Sequence, residues 1–261
     1  MSTVTLPRRA WVEQIMGLPM SIHVRGADPD AAEVQQRVTA VFTQLRHADA
    51  VFSPYRDDSE LSRWERGELA VEAADPTFAE VLALCEEARE RTGGWFDARA
   101  LPDPRTGAPR FDPSGLVKGW AVERAAEQLQ RLRGYSWCVN AGGDVLVHAL
   151  EEHPAWRIGI ESPDDPSRLL QVLERRSGAV ATSGPAHRGA HIVDPHTGRP
   201  ATGVRAVTVT GPQLLWADVY ATAAAARGAR ALPWLETLDE HAALLVSASG
   251  LLQVTAGWPP R

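Results

Sequence analysis

The segment from Asp112 to Gly119 contains residue types that bind phosphate at the start of a helix. Its Asp-Pro-Ser-Gly turn leads into a predicted helix, whose free backbone N–H groups attract anions. Lys118 lies in the first predicted turn, where the helix dipole disfavours a cation unless an anion lies beside it. We therefore interpret the segment either as a phosphate site or as a capped helix followed by a solvated lysine.

Asp218 and Thr222 form a second candidate site because they stand four residues apart on a predicted helix. That spacing places their oxygen atoms on the same helix face. A carboxylate, a hydroxyl and a nearby backbone carbonyl suit Mg²⁺, which completes its shell with water and substrate phosphate. The alternative is structural: Asp218 caps the helix, and Thr222 bonds back to a backbone carbonyl.

Further candidate residues lie in two glycine-containing turns and a histidine motif. In Val180 to Gly184, a Thr-Ser-Gly turn after an apolar strand offers hydroxyls and backbone donors. In Asn140 to Asp144, two glycines permit backbone approach to a ligand or form a plain hairpin turn. Ser183 is a weak candidate for a hydrolase nucleophile, since no nucleophile-elbow motif surrounds it. His191 either accepts a proton near neutral pH or serves as a structural side chain.

Apolar residues three and four positions apart predict the helices that carry these segments. The first two candidate sites fall at or near the starts of two of them. The predicted helices run from Asp30 to Ala50, from Asp75-Pro76 onward, from Leu116 to Arg133 and from Trp216 to Arg227, with a helix-like tail from Leu232 to Leu238.

Strands are predicted at the start, in the middle and near the end of the chain, without regular alternation with helices. That order favours an α+β fold over a doubly wound parallel sheet. The glycine pair of Ala141 to Asp144 also lacks the dinucleotide-binding fingerprint and its following helix. The predicted strands are a pair within Trp11 to Arg25, then Tyr135 to Asn140, Asp144 to His148, Trp156 to Glu161, Leu169 to Leu173, Val204 to Thr210 and Ala243 to Ser247.

The composition excludes several classes of protein. The chain has 261 residues, a formal net charge of −6, and 44% hydrophobic and 23% charged residues, as in ordinary globular proteins. The acidic balance argues against a nucleic-acid partner, which needs a basic surface. Cys85 and Cys138 are too few for a disulfide framework or a cysteine zinc site, and we expect reduced thiols. We see no signal peptide and no membrane span of ~20 apolar residues, and we expect a cytoplasmic protein.

The order of the motifs along the chain resembles that of the ApbE family, the FAD:protein FMN transferases. The resemblance extends from Met16 to about Gly228 and rests on several motifs in one order. These are Met16-Gly17, Ser53-Pro54-Tyr55 with Ser59-Glu60-Leu61, Gly94-Trp95-Phe96-Asp97, Asp112-x-x-Gly115-x-x-Lys118-Gly119, Asn140-x-Gly142-Gly143-Asp144, Ala181-Thr182-Ser183-Gly184, His191-Ile192-Val193-Asp194-Pro195-x-Thr197-Gly198 and Ala217-Asp218-x-x-x-Thr222-Ala223.

The resemblance implies a single ApbE-like domain over residues 1–261 with a two-lobed α+β fold. Mixed or antiparallel sheets in a T-fold-like core would be flanked by helices, and FAD would lie in the cleft between the lobes. Such an enzyme uses Mg²⁺, cleaves FAD, releases AMP and attaches FMN through a phosphoester to a threonine of an acceptor flavoprotein. An acceptor-like Asp-x-x-Ser/Thr-Gly-Ala-Thr stretch does not occur in this sequence, so self-modification is not expected.

The resemblance also implies roles for individual residues. The Gly115 carbonyl, Asp218 and Thr222 match the magnesium ligands of the family. Lys118, Asp218 and His191 are the implied catalytic residues, with His191 as the proton acceptor. The residues implied to line the flavin nucleotide are Met16, Tyr55, Trp95, Phe96, Asp97, Asp112, Lys118 and Val193.

Two other functions remain open from the sequence. An FAD pyrophosphatase would release FMN and AMP with water in place of the threonine, using the same motifs. A non-catalytic FAD-binding protein would keep the fold without turnover. His187 and His196 are further candidates for the proton-transfer role, and Ala186-His187-Arg188 stands where relatives carry an aromatic residue.

Overall fold

The computed structural model describes residues 6–102, 107, 110–185 and 192–260. Within these residues the chain forms twelve strands and six α-helices, besides 3₁₀ turns at Val71–Ala73 and Gly228–Arg230. The helices are α1 (Ala32–Phe52), α2 (Glu60–Glu65), α3 (Thr77–Arg91), α4 (Ser114–Gln130), α5 (Leu214–Arg227) and α6 (Ala231–Leu235). The strands are β1 (Arg8–Ile15), β2 (Leu18–Gly26), β3 (Tyr135–Ala141), β4 (Asp144–His148), β5 (Trp156–Ser162), β6 (Asp165–Arg175), β7 (Ser177–Ser183), β8 (Val193–Asp194), β9 (Arg199–Pro200), β10 (Val204–Gly211), β11 (Ala242–Ser247) and β12 (Leu252–Val254).

The centre of the fold is an eight-stranded sheet in the order β1-β2-β3-β4-β7-β10-β11-β12. Each neighbouring pair in it is antiparallel. The strands β5 and β6 form a separate antiparallel hairpin, and β8 pairs with β9. The predicted α+β class is confirmed, and among the described strands the pairing is antiparallel throughout.

The two faces of the large sheet are covered by different layers. On one face, Ile22, Val139 and Val207 belong to a core that also contains the apolar residues of α1, α4 and α5. On the other face, Ile158 and Leu173 of the β5–β6 hairpin belong to a smaller core with residues of β4, β7, β10 and β11. Because strand side chains alternate between faces, one sheet supports both cores.

The helices α4 and α5 approach closely at Gly119. A Cβ atom at this position would lie 2.9 Å from both the Leu214 carbonyl oxygen and the Leu215 Cα atom. Glu123, one turn further along α4, accepts a hydrogen bond from the Leu214 N–H at 2.7 Å and satisfies a donor in the first turn of α5. Burial raises the pKa of Glu123, against the hydrogen bonds from Leu214 and Leu215. This contact fixes the two helices that carry the candidate metal and phosphate residues.

The predicted helices are confirmed, with different ends. Helix α4 begins at Ser114, two residues before the predicted start, because Asp112 Oδ1 accepts the Ser114 N–H at 3.0 Å. Lys118 is therefore the fifth residue of α4, and its predicted place in the first turn was wrong. Asp218 is the fifth residue of α5, inside the helix, so the capping alternative was also wrong.

Other elements were incomplete or missing in the sequence-based prediction. Strand β6 begins at Asp165, four residues before the predicted start at Leu169. Its first residues are mostly polar and exposed, so they lack the apolar pattern on which the strand prediction rested. Helix α2 was not predicted, although Ser59 provides a local signal by accepting the Ser62 N–H at 3.0 Å. Strand β12 was not predicted either. None of the helices in the described part of the chain is long and apolar enough to cross a membrane.

The Gly119→Ala variant tests the contact between α4 and α5. The added methyl group would overlap the backbone of α5, so we expect the free energy of unfolding to fall by about 1–3 kcal/mol. This loss would outweigh the ~1 kcal/mol that alanine gains over glycine inside a helix. Urea unfolding measures the change.

A second glycine provides the control for that substitution. At Gly257 a Cβ atom would meet the Ala242 Cβ at 3.6 Å, an ordinary contact distance. Gly257→Ala should therefore stay within ~0.5 kcal/mol of the parent protein. A Gly119→Ala protein as stable as this control would contradict the close approach of the two helices.

Candidate functional site

A cavity of about 970 Å³ lies where the start of β4 and the end of β7 meet α4 and α5. It brings together residues from distant parts of the sequence. The implied site residues that line it are Tyr55, Trp95, Phe96, Asp97, Asp112, Gly115, Lys118, Val193, Asp218 and Thr222.

Lys118 forms ion pairs with two buried carboxylates in this cavity. Its ammonium group donates to Asp144 Oδ2 and lies 3.3 Å from Asp218 Oδ2. The lysine side chain is 16% exposed, and those of Asp144 and Asp218 are 3% and 4% exposed. Charges at this depth are screened little by salt, so the cluster ties α4, β4 and α5 together. The alternative of a solvated lysine was wrong.

Asp144 is held in place by the turn that precedes it and by the neighbouring strand. Gly142 and Gly143, with φ values of 63° and 104°, form the two-residue turn between β3 and β4. Asn140 Oδ1 accepts the Gly143 N–H at 2.8 Å. The second carboxylate oxygen, Asp144 Oδ1, accepts the Thr182 N–H at 2.8 Å. The turn therefore aims the carboxylate at Lys118.

Thr222 faces the start of α4 and the end of β7. Its hydroxyl lies 3.0 Å from the Ser183 hydroxyl in a hydrogen bond. A Cβ atom at Gly115 would lie 3.7 Å from Thr222 Oγ1 and 3.1 Å from the Phe96 ring. The absence of a side chain at Gly115 thus leaves the first turn of α4 open towards the Thr222 hydroxyl.

The oxygen atoms at this point fit a small hard cation. Asp218 supplies a carboxylate, and Thr222 and Ser183 supply hydroxyls. Magnesium prefers oxygen ligands and takes few of them from the protein. Among the described residues, no group of three or more histidine, cysteine, aspartate or glutamate side chains could hold a metal ion.

Aromatic side chains line another part of the cavity. Phe96 is 4% exposed, and its N–H donates to Thr92 Oγ1 at 2.9 Å, whereas Tyr55 is 81% exposed. Trp95 lies beside three cationic or titratable side chains: the His196 ring at 4.5 Å, and the guanidinium groups of Arg227 and Arg230, each 5.2 Å from its ring. Buried and exposed aromatic rings at one opening suit a planar ligand.

Two aspartates beside the aromatic residues organise the loop before α4. The Asp112 N–H donates to the Ala98 carbonyl at 2.7 Å, which closes the loop. Asp97 Oδ1 accepts the Arg99 N–H at 2.8 Å. Both carboxylates have local hydrogen-bond donors, and both aspartates line the cavity. Val193 of β8 also lines the cavity.

The cavity also extends along the sheet face that carries the β5–β6 hairpin. Ser21, His23 and Cys138 line this part. Burial, followed by the nearby charge of Arg8, lowers the pKa of His23. Burial raises the pKa of both Cys138 and Cys85 to about 12, so the two free cysteines stay protonated thiols near neutral pH.

Two implied site residues, Met16 and His191, are not among the described residues that line the cavity. Met16, with φ 55°, and Gly17, with φ 70°, form the tight turn between β1 and β2. Met16 is absent from the described lining of the cavity, and its contact with the flavin nucleotide stays a prediction. His191 and His187 lie outside the described residues, so the assignment of the proton acceptor also stays a prediction.

The sequence placed Asp144 and Ser183 in candidate turns, but it predicted neither the ion pair of Asp144 with Lys118 nor the hydrogen bond of Ser183 with Thr222, and it did not identify strand β5 as part of the site. Asp144 had a local signal, because it follows a glycine pair in a hairpin turn. The role of Ser183 and the wall formed by β5 depend on how distant strands are placed around α5. No local pattern in the sequence carries that information.

Comparison with known proteins identifies the family of the chain. The sequence model of the ApbE family matches residues 16–104 and 103–245. The FAD:protein FMN transferase of Treponema pallidum is 27% identical over 281 residues, covering 81% of this chain and 76% of that protein. The enzyme of the same name from Vibrio cholerae is 36% identical over 122 residues, or 42% of this chain, and this match spans only 36% of that protein.

Solved structures share the fold along nearly the whole chain. The ApbE protein of Thermotoga maritima has a TM-score of 0.81 at 21% identity, covering 96% of this chain and 97% of its own. The flavin transferase ApbE from Vibrio cholerae has a TM-score of 0.80 at 23% identity, covering 97% and 98%. The antiparallel sheet, with helices on one face and a cavity beside α4 and α5, defines an α+β protein of the class seen in these structures. The chain belongs to the ApbE family.

A double-mutant cycle tests the buried ion pair. Lys118→Met and Asp144→Asn should each destabilise the protein, because each leaves a buried polar group without its partner. We expect a coupling energy above ~1 kcal/mol from urea unfolding of the two single variants and the double variant.

An exposed ion pair provides the comparison. Arg66 and Glu68 have side chains that are 43% and 51% exposed, and their cycle should give less than ~1 kcal/mol. Equal coupling in the two cycles would show that Lys118 and Asp144 do not form a buried pair in solution.

Proposed function

We propose that the protein is a magnesium-dependent FAD:protein FMN transferase, which attaches FMN through a phosphoester to a threonine of an acceptor flavoprotein and releases AMP. The observation that carries this proposal is the meeting of Lys118, Asp218 and Thr222 in one cavity. A fixed cation next to an oxygen-rich metal site suits a pyrophosphate. Family membership and the names of the relatives support the choice of FAD as the substrate.

In this proposal the Gly115 carbonyl, Asp218 and Thr222 hold Mg²⁺. The buried carboxylate and the hydroxyl fixed by Ser183 are oxygen ligands of the kind that this ion prefers. When bound, magnesium supplies Lewis acidity and charge neutralisation at the pyrophosphate. The close packing of α4 on α5 keeps its ligands in place before the substrate arrives.

Lys118 supplies the second positive charge for the phosphates. Phosphoryl-group transfer depends mainly on positioning and charge stabilisation, which a fixed ammonium group provides. Asp144 orients this group, since it accepts a hydrogen bond from the lysine and is itself held by the Thr182 N–H. The lysine therefore needs little reorganisation when the phosphates bind.

The aromatic part of the cavity would hold the flavin nucleotide. Tyr55, Trp95 and Phe96 offer ring surfaces, and Asp97, Asp112 and Val193 complete this wall. The proposal for Met16 rests on the sequence motif. Aromatic rings favour stacking with a planar ligand over a flexible one.

The reaction needs an acceptor for the proton of the incoming threonine. The threonine oxygen bonds to the FMN phosphorus, the bond from that phosphorus to the AMP oxygen breaks, and AMP leaves. We assign the threonine proton to His191 from its motif, because imidazole accepts protons near neutral pH.

An acceptor assay separates transfer from hydrolysis. The purified protein is mixed with FAD, Mg²⁺ and a peptide that contains Asp-x-x-Thr-Gly-Ala-Thr, and AMP and the peptide mass are followed together. We expect AMP to appear in step with a peptide heavier by one FMN group. Equal amounts of free FMN and AMP with an unmodified peptide would contradict the transferase and indicate a pyrophosphatase.

The Asp218→Ala variant tests the metal assignment. We expect transfer to fall by at least ~100-fold, because charge stabilisation at the pyrophosphate is lost. Binding of Mn²⁺, measured by electron paramagnetic resonance, should weaken in parallel, while circular dichroism stays unchanged. The exposed Asp239→Ala variant is the control and should keep both properties. Full activity of Asp218→Ala would refute the assignment.

A further inference from the structure

Strand β5 borders the cavity along its whole length. Each of the eight consecutive residues from Trp156 to Pro163 lines the cavity, whereas no residue of β6 does so in the described lining. Side chains of a strand alternate between its two faces, so a cavity above one face would meet every second residue. Contact with consecutive residues indicates that the cavity runs along the backbone edge of β5.

This edge carries backbone groups that can pair with another strand. In the part of the chain that the structure describes, β5 pairs with β6 on one side and with no strand on the other. No backbone hydrogen bond outside this hairpin involves Trp156 to Ile160 in the described residues. Unpaired strand edges are templates for an added strand, and several peptide-binding domains use them in this way.

The floor beside the β5 edge is a half-buried strip of the large sheet. Ser21 and His23 of β2 and Cys138 and Asn140 of β3 line the cavity from this strip. The apolar residues of the hairpin pack mainly on β4, β7, β10 and β11, and within the strip Cys138 packs against the same core. The strip is mostly polar, with Ser21 Oγ and His23 Nε2 3.2 Å apart in a hydrogen bond.

Three arginines and one carboxylate, Glu161 of β5, line this groove, although the chain is acidic overall. Arg8, Arg157 and Arg205 line it, and Arg205 is paired with Asp164 at 2.6 Å. Arg8 and Arg157 are exposed and have no carboxylate within 4.0 Å among the described residues. Two available guanidinium groups favour a chain segment that carries acidic side chains.

The groove is continuous with the candidate catalytic site. Asp164, just beyond the end of β5, pairs with Arg205. Gly184 packs on the backbone of Arg205 and Ala206, where a Cβ atom added at Gly184 would lie 3.1 Å from the Ala206 Cα. Gly184 follows Ser183, whose hydroxyl bonds to that of Thr222. The Ser162 end of β5 therefore points towards the metal site, and the Trp156 end points away from it.

We propose that the acceptor polypeptide binds in this groove as an extended strand added to the edge of β5. The threonine lies beyond the Ser162 end, where it enters the cavity beside Thr222. Main-chain hydrogen bonds to β5 supply affinity for acceptors of different sequence, and Arg8 and Arg157 favour acidic flanks. This inference rests on the proposed function, because it names the binding surface for the acceptor of that reaction.

Hydrogen–deuterium exchange of the full chain tests the proposal. The probe is the threonine peptide used in the acceptor assay, extended by acidic residues on both flanks. With the peptide, we expect amide exchange in residues 157–160 to slow by on the order of tenfold. FAD with Mg²⁺ alone should leave these amides unchanged. Strand β12, at the far edge of the large sheet, is the internal control and should exchange equally in all samples.

Backbone methylation of the peptide tests the strand pairing itself. In antiparallel pairing, alternate residues point their N–H groups to the partner strand. N-methyl groups on one alternate set should therefore reduce transfer by roughly tenfold or more, and the same groups on the intervening set should have a much smaller effect. Equal effects of the two sets would overturn the added-strand geometry.

Matched arginine variants test the charge contribution. Arg157→Gln should raise the KM for the peptide about three- to tenfold and leave the Kd for FAD unchanged. Arg168→Gln is the control, since Arg168 is exposed on the same hairpin and lies outside the described lining. Transfer that proceeds without protection of β5 would overturn the inference and leave the proposed function intact. FAD cleavage that never modifies a peptide would instead overturn the proposed function.

Discussion

The ammonium group of Lys118 lies between the buried carboxylates of Asp144 and Asp218, and through them it joins α4, β4 and α5. This contact requires the close approach of two helices, which Gly119 permits, and a hairpin turn that aims Asp144 inward. The large sheet and its helical layer thus hold the side chains of Lys118, Asp144 and Asp218 together. Charges are fixed at a point where a diphosphate and a cation would meet, so little rearrangement is needed on binding.

The sequence predicted those parts of the protein that depend on neighbouring residues. Hydrophobic spacing identified α1, including its buried residues Val38 and Leu45, because amphipathic periodicity is a local property. The spacing of Asp218 and Thr222 correctly placed both on one helix that borders the cavity. The ordered motifs also indicated the ApbE family, which the family comparison confirms.

The remaining features depend on tertiary packing. Lys118 was open to interpretation as a solvated side chain, because nothing near it in sequence shows that β4 delivers Asp144 to its ammonium group. The reason for Gly119 became clear only from the backbone of α5 beside it. In the same way, the sequence predicts β5 as a strand but does not show which of its two sides is paired with another strand.

Anomalous diffraction from crystals grown with FAD and Mn²⁺ would locate the cation relative to Asp218 and Thr222. We expect a manganese peak within about 2.0–2.3 Å of an Asp218 carboxylate oxygen and the Thr222 hydroxyl, with the FAD phosphates on the other side of the ion and beside Lys118. A peak remote from Asp218, or phosphates bound away from both Lys118 and α5, would contradict this expectation.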